Sequence, residues 1–374
     1  MIKPFRIEIP QADLDDLRTR LTGTRWPRRL PGAEWSRGVP VSYLRDLVAY
    51  WADGYDWRAF EARFNEFPQF TTEIDGQVVH FFHVRSAKED ALPLIITHSW
   101  PNSIAEFADL LGPLSEHFHV VAPSLPGFGF SAFPEPADER PWSAERVART
   151  WAELMDRLGY ERYGAHGNDA GALVSPQLGA LFPDNVVGVH ITGGIGLPTG
   201  DPAELEGLTE EEKESLSWVS EMLSGTGGSG YAPYLAARPQ TLGFGWADSP
   251  VAQLAYLVER FKEFDGWQPG SEPIDRDLVL TNASLYWLTN TGGSSSWTYY
   301  DGAAGMPIDQ SAVPTGVSHG GSPVFRRIAE RGNDVVHWQD LDHPSHMLAM
   351  AAPGPLAADI TAFFAKLGHG ATKR

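Results

Sequence analysis

The feature that most constrains the fold is a repeated change of hydrophobic period along the chain. Short apolar runs at 92–101 (LPLIITHSWP), 119–131 (HVVAPSLPGFGFS), 161–169 (ERYGAHGND) and 186–194 (VVGVHITGG) each end in glycines or polar residues. Between them lie helical patterns such as SAERVARTWAELMDRLG (143–159), where Ser143 and Glu145 suit a helix start. The alternation resumes at AVPTGVSHG (312–320) and RGNDVVHWQDL (331–341) and closes on the amphipathic segment PLAADITAFFAKLG. Apolar strands alternating with amphipathic helices predict an α/β fold with a mostly parallel central sheet, whose strands carry the active site at their C-terminal ends.

Two segments fall outside that alternation. Residues 1–70 read as helices and proline turns: Leu44, Leu47, Val48 and Trp51 share one helical face, and Trp57, Phe60 and Phe64 another. Residues 197–305 read as a helical insertion over the sheet, with the Gly and Ser tracts LSGTGGSGY and TNTGGSSSW. FTTEIDGQVVHFFHVRS is a hairpin with Asp75-Gly76 at its turn. The expected organisation is a meander at 1–70, a core at 71–196 and 306–374, and a lid at 197–305.

Charge and cysteine content narrow the function. A formal net charge of −19 opposes binding to phosphate backbones and anionic membranes. The absence of cysteine excludes disulfides, thiolate metal sites and a cysteine nucleophile. With no signal-type apolar core near the N-terminus and no run of about 18 apolar residues, a cytoplasmic location is expected.

Chemistry concentrates in YGAHGNDAGA (163–172). Gly167-Asn168-Asp169-Ala170-Gly171 has the small-x-nucleophile-x-small form of a strand-to-helix nucleophile elbow, with aspartate at the apex. An aspartate before a helix is also a common N-cap, and the motif alone does not separate the two. A carboxylate is ionised at neutral pH without help and can attack an sp³ carbon to give an alkyl ester. Water can then attack the ester carbonyl and regenerate the aspartate, whereas a serine ether would offer no carbonyl.

His98-Ser99-Trp100-Pro101 follows the strand LPLIIT, SLPGFGFS follows the next, and His343-Pro344-Ser345-His346 follows the last. With these segments, PFRIEIPQADLDDLRTRL near the N-terminus, and ADSPVAQLAYLVERF and NASLYWLTNTGGSS in the lid, nearly the whole chain resembles the epoxide hydrolases of the α/β-hydrolase fold. The likeness is to the microsomal and juvenile-hormone type and its soluble bacterial relatives. The resemblance implies that Asp169 is the nucleophile and His346 the general base, with the backbone N–H groups of Trp100 and Ala170 forming an oxyanion hole. It implies two lid tyrosines as acids at the epoxide oxygen, Tyr231 with Tyr234 as competitor and Tyr299 with Tyr300 adjacent. It implies a vicinal diol as product, no cofactor, and, through bacterial relatives, an epoxide of secondary metabolism as substrate, for which the aromatic-rich chain would suit a bulky aromatic one. The partners expected are that epoxide and water, with a homo-oligomer left open, and neither nucleic acid nor membrane.

Three departures from the family pattern stand out. No Asp or Glu occurs between Val313 and Ile328, where the acid supporting the histidine belongs. Asp342, Asp309 and Asp301 are substitutes by proximity in sequence. Ser99 stands where the family usually has glycine, and HPSH replaces its usual GGH. Two rival readings follow: dehalogenation from the same elbow, which would favour Trp or Asn halide donors over a tyrosine pair, and a protein that keeps the fold without turnover.

Other motifs read as decoys. The segment GTGGSG (225–230) matches G-x-G-x-x-G but follows a helical pattern, not a strand. His80 and His83 point to opposite faces of a strand, and His343 and His346 lack a third ligand nearby, so no metal is expected.

Overall fold

The computed structural model describes residues 1–32, 35–135, 140–193, 195, 206–216, 230–265, 274–301, 311–343 and 345–368. Its centre is a sheet of nine strands: β1 (Lys3–Phe5), β2 (Gln69–Ile74), β3 (Gln77–Val84), β4 (Leu92–Thr97), β5 (Phe118–Pro123), β6 (Tyr163–Asn168), β7 (Val186–Thr192), β8 (Thr315–Ser318) and β9 (Val335–Gln339). Their order is β1-β2-β3-β5-β4-β6-β7-β8-β9. The pairs from β5 through β9 are parallel and those from β1 to β5 antiparallel. Each apolar run of the sequence therefore became a strand, and helices cover both faces. Leu94, Ile95, Val120, Val189 and Val317 are wholly buried, as strands covered on both sides require.

The β2–β3 hairpin turns at Asp75 (φ 53°) and Gly76 (φ 79°), the paired left-handed conformation that Asp-Gly supplies at low cost. The N-terminal segment differs from the helices-only expectation, because Lys3–Phe5 pairs with Gln69–Thr71 as an edge strand. A three-residue strand containing Pro4 shows no alternation to read, and an edge is where proline is tolerated.

Helix Ala144–Arg157 starts where expected, with the Ser143 side chain capping the Arg146 N–H. In helix Val41–Asp53 the buried residues are Leu44, Leu47, Val48 and Trp51, the face the periodicity marks. That face docks on the segment between β7 and β8, where Trp51 Nε1 donates to Ser284 Oγ at 2.9 Å, and beyond the helix end Tyr55 OH meets Thr281 Oγ1 at 2.8 Å. Both partners lie on helix Arg276–Thr289, so the meander is packed against the insertion as well as the sheet. Among the described residues no helix is long and apolar enough to cross a membrane.

Candidate active site

β6 runs into helix Ala170–Leu181 through a turn of one residue, Asp169, held at φ 52° and ψ −112°. Such a backbone is costly for a non-glycine residue and persists only where its surroundings impose it. The two flanking glycines make it feasible. A Cβ on Gly167 would stand 2.2 Å from the Gly171 carbonyl oxygen, and one on Gly171 would stand 2.1 Å from that of Thr97. Strand, turn and helix thus close to backbone contact and push the Asp169 side chain out above the sheet.

Its carboxylate is asymmetrically held. Oδ1 accepts from Trp100 N at 3.0 Å and from Ala170 N at 2.7 Å. Oδ2 faces His346 Nε2 at 3.5 Å. Burial alone would lower the His346 pKa, but the hydrogen bond it donates to Asp169 and the charges of Asp169, Asp265 and Glu106 together raise it.

The Trp100 loop is braced from several sides. His98, pulled down to about 4 by burial and hence neutral, accepts from Leu125 N through Nε2 at 3.0 Å. From the lid, Asn282 Nδ2 donates to Pro101 O at 2.6 Å and Tyr286 OH to Asn102 O at 2.5 Å. The tract TNTGGSSSW docks on the SLPGFGFS loop: Ser294 Oγ donates to Gly127 O at 2.6 Å and Trp297 Nε1 to Pro126 O at 2.6 Å. Its small residues serve close packing.

Beside Asp169 the Trp100 loop and the segment between β7 and β8 together form an aromatic wall. Trp100 lies 4.8 Å from Tyr299 and 6.1 Å from Tyr231 between ring centroids, and the two tyrosine rings meet at 5.8 Å. Tyr256 and Phe264 extend the wall, packing on Trp100 and Tyr231 respectively. Burial pushes Tyr231 up to about 12 and Tyr299 well above its ordinary value, so both stay protonated. Tyr234 points elsewhere, at 44% exposure. Tyr300 is half-buried one residue on, at the end of helix Trp297–Tyr300.

Three acids were considered as partners of His346. Asp342 is exposed, Asp301 accepts from the Trp142 backbone, and Asp309 lies outside the described residues. Among the described residues the second carboxylate to meet the histidine, at its backbone N–H, is Asp265, the last residue of helix Pro250–Asp265. Its Oδ1 accepts from His346 N at 2.8 Å and its Oδ2 from Ser345 Oγ at 2.9 Å. Nothing in its sequence context marks it, because the contact is made across 81 residues.

Glu106 also escaped the sequence reading. It is buried beneath the Trp100 loop, accepting from Ser99 N and Ser99 Oγ at 2.7 Å each. Burial pushes it up to about 7 despite those donors. Asn168 lies beside it and donates to His346 O at 3.1 Å, so one polar layer ties β6, the Trp100 loop and the histidine loop together.

For a metal, His190, His337 and Asp359 offer ligand atoms all within 4.8 Å of one another. Hydrogen bonds already use these atoms: His190 Nε2 lies 3.1 Å and His337 Nε2 2.7 Å from the Asp359 oxygens, and Ser318 Oγ donates to the same carboxylate. Lys366 Nζ lies 2.6 Å from His337 Nδ1. An ammonium donating there leaves the imidazole proton on Nε2, where a metal would have to bind. His80 is a core histidine between Ser124 Oγ and Gln69 Oε1, at 3.1 Å from each. Of the glycine-rich segment GTGGSG, positions 225–229 lie outside the described residues.

The chain is similar to known proteins. A family model described as "Epoxide hydrolase N terminus" matches residues 2–107, and one described as "alpha/beta hydrolase fold" matches 93–228. A Stigmatella aurantiaca protein whose name assigns it provisionally to the epoxide hydrolases is 39% identical over 98% of this chain and 85% of its own length. The chain belongs to the epoxide hydrolase family. Epoxide hydrolase 1 of Sus scrofa is 29% identical over 98% of this chain and 89% of its own. The solved epoxide hydrolase of Aspergillus niger superposes with a TM-score of 0.85 at 30% identity, over 98% of this chain and 97% of its own. The protein is thus an epoxide hydrolase of the α/β-hydrolase superfamily, acting on a small-molecule epoxide and water.

Proposed function

We propose that this epoxide hydrolase works through an alkyl ester on Asp169. The observation that carries the reading is the split environment of the carboxylate: two backbone donors on Oδ1, and Oδ2 turned to His346 Nε2 at 3.5 Å. Oδ2 attacks an epoxide carbon, the C–O bond breaks, and the phenol of Tyr231 or Tyr299 gives its proton to the departing oxygen. Those phenols border the aromatic wall beside Asp169, and their raised pKa keeps the proton available. Water then attacks Asp169 Cγ and passes a proton to His346 Nε2. The negative charge develops on Oδ1, where Trp100 N–H and Ala170 N–H already point. Collapse expels the diol, which takes the proton from His346, and the proton left on the Asp169 carboxyl returns through solvent to the tyrosinate.

The site's wall of Trp100, Tyr256 and Phe264 suits an epoxide with a bulky aromatic substituent. Dehalogenation is disfavoured, because the Trp100 indole N–H is committed to Ser295 Oγ at 3.3 Å and is not free for a halide. The test is turnover of an aryl epoxide in heavy-oxygen water, followed by mass spectrometry of diol and protein. Heavy oxygen should enter Asp169, and Asp169→Ala should form neither adduct nor diol. A diol made by that variant would show that the elbow is not the nucleophile.

A further inference from the structure

The chain lacks an acid after β8, and Ser345 stands where the family pattern has glycine. Asp265 meets both departures at once. Its two oxygens close on Ser345 Oγ at 2.9 Å and His346 N at 2.8 Å, and Ser345 Oγ in turn accepts from Met347 N at 3.0 Å. The serine is thus the docking point for a carboxylate that arrives from the lid. Phe264, the residue before it, packs its ring 5.5 Å from the imidazole. Asp265 is also the C-terminal residue of a 16-residue helix, whose dipole favours a cation at that end.

We infer that Asp265 is the positioning residue for His346, a lid-borne carboxylate that replaces the acid missing after β8. It holds the histidine loop through the backbone and places a negative charge and a helix C-terminus beside the imidazolium that forms during ester hydrolysis. Among the described residues the other ionisable groups that act on His346 include Asp169, Glu106 and His319. His319 sits at the end of β8, and its charge would oppose that of the imidazolium.

This inference rests on the ester mechanism for its kinetic arm, and it has a second arm that does not. Asp265→Asn keeps an oxygen acceptor for His346 N–H and removes the charge. In single-turnover mass spectrometry with an aryl epoxide, the variant should alkylate within about twofold of wild type and lose the ester between about tenfold and 10⁴-fold more slowly. Without substrate, the His346 imidazole resonance, assigned by its loss in His346→Gln, should titrate at lower pH in Asp265→Asn. Removing a neighbouring negative charge makes the imidazolium less stable, so the acidic limb of ester hydrolysis should move down with it. A loop-holding role alone would leave that titration in place. An imidazole that titrates at the same pH in both proteins, or an ester that decays at the wild-type rate in the variant, would overturn the assignment. If wild type forms no ester, the mechanism above fails, and the imidazole titration still decides for or against Asp265.

Discussion

The Cα of Gly171 sits so close to β4 that a methyl group there would lie 2.1 Å from the Thr97 carbonyl oxygen. That approach holds the elbow against the sheet. Gly171→Ala should therefore do more than fill space: the helix must retreat and carry the Ala170 N–H away from Asp169 Oδ1. The expected outcome is a loss of about 1–3 kcal/mol in urea unfolding and a fall in ester turnover of at least about 10²-fold, as for loss of one oxyanion donor. Wild-type turnover in the variant would show that the approach is not needed for the site.

Glu106 gives a pH dependence of stability with a definite sign. Its carboxyl is raised from 4.5 to about 7 by burial, so the folded protein keeps a proton that the unfolded chain releases. The stability it contributes is fully present below pH 4.5 and is lost as pH rises through about 7, a change of roughly 3 kcal/mol. Glu106→Gln removes this titration while keeping an acceptor for Ser99 N–H. The variant's stability relative to wild type should rise across that window in urea melts at stepped pH. A constant difference from pH 4.5 to 8 would mean that Glu106 does not titrate there.

The tyrosine pair should act on the first chemical step alone. Replacing both Tyr231 and Tyr299 with Phe should slow alkylation of Asp169 by about 10²–10⁴-fold, while a preformed ester decays at its ordinary rate. Because burial raises both phenols, alkylation by wild type should hold its rate to about pH 10, where a free phenol would already be half ionised. Rapid-quench measurements of ester formation across pH 7–10 check both points, and an early alkaline fall would count against these residues as the acids.

Much of this architecture was legible in the residues. The strands were readable because each is a short apolar run closed by glycine or polar residues, and the elbow because its backbone contacts demand Gly167 and Gly171. Trp51 and its helical neighbours showed their buried face through spacing alone. Asp265 and Glu106 were not legible. Each is defined by contacts to a distant loop or a bend, and an isolated carboxylate at a helix end or in IAEF looks like any solvated charge. Lys3–Phe5 was missed for the opposite reason, since its pairing comes from β2 and not from its own pattern.

The buried cluster around Asp359 predicts a stability effect without a catalytic one. Asp359→Ala would leave the His190, His337 and Ser318 donors without their acceptor, and Lys366 would face a His337 that had lost its partner. Breaking a buried ionic network in this way costs about 3–5 kcal/mol, to be read as a lowered urea midpoint. Whatever fraction remains folded should alkylate at the wild-type rate, because the cluster lies between the sheet and helix Pro353–Lys366. A slowed reaction in the folded fraction would tie the cluster to the active site.

The grip of Asn282 and Tyr286 on the Trp100 loop bears on how such enzymes can diversify. The segment between β7 and β8 that contributes to the aromatic wall also sets the bend of the loop carrying Trp100, whose N–H meets Asp169 Oδ1. Exchanging the whole insertion between relatives to alter substrate choice would therefore alter the reaction machinery too, unless the graft brings its own matching anchors for Pro101 and Asn102. A replacement at Tyr256, which packs on Trp100 and lies off helix Arg276–Thr289, would change the wall and leave both anchors in place.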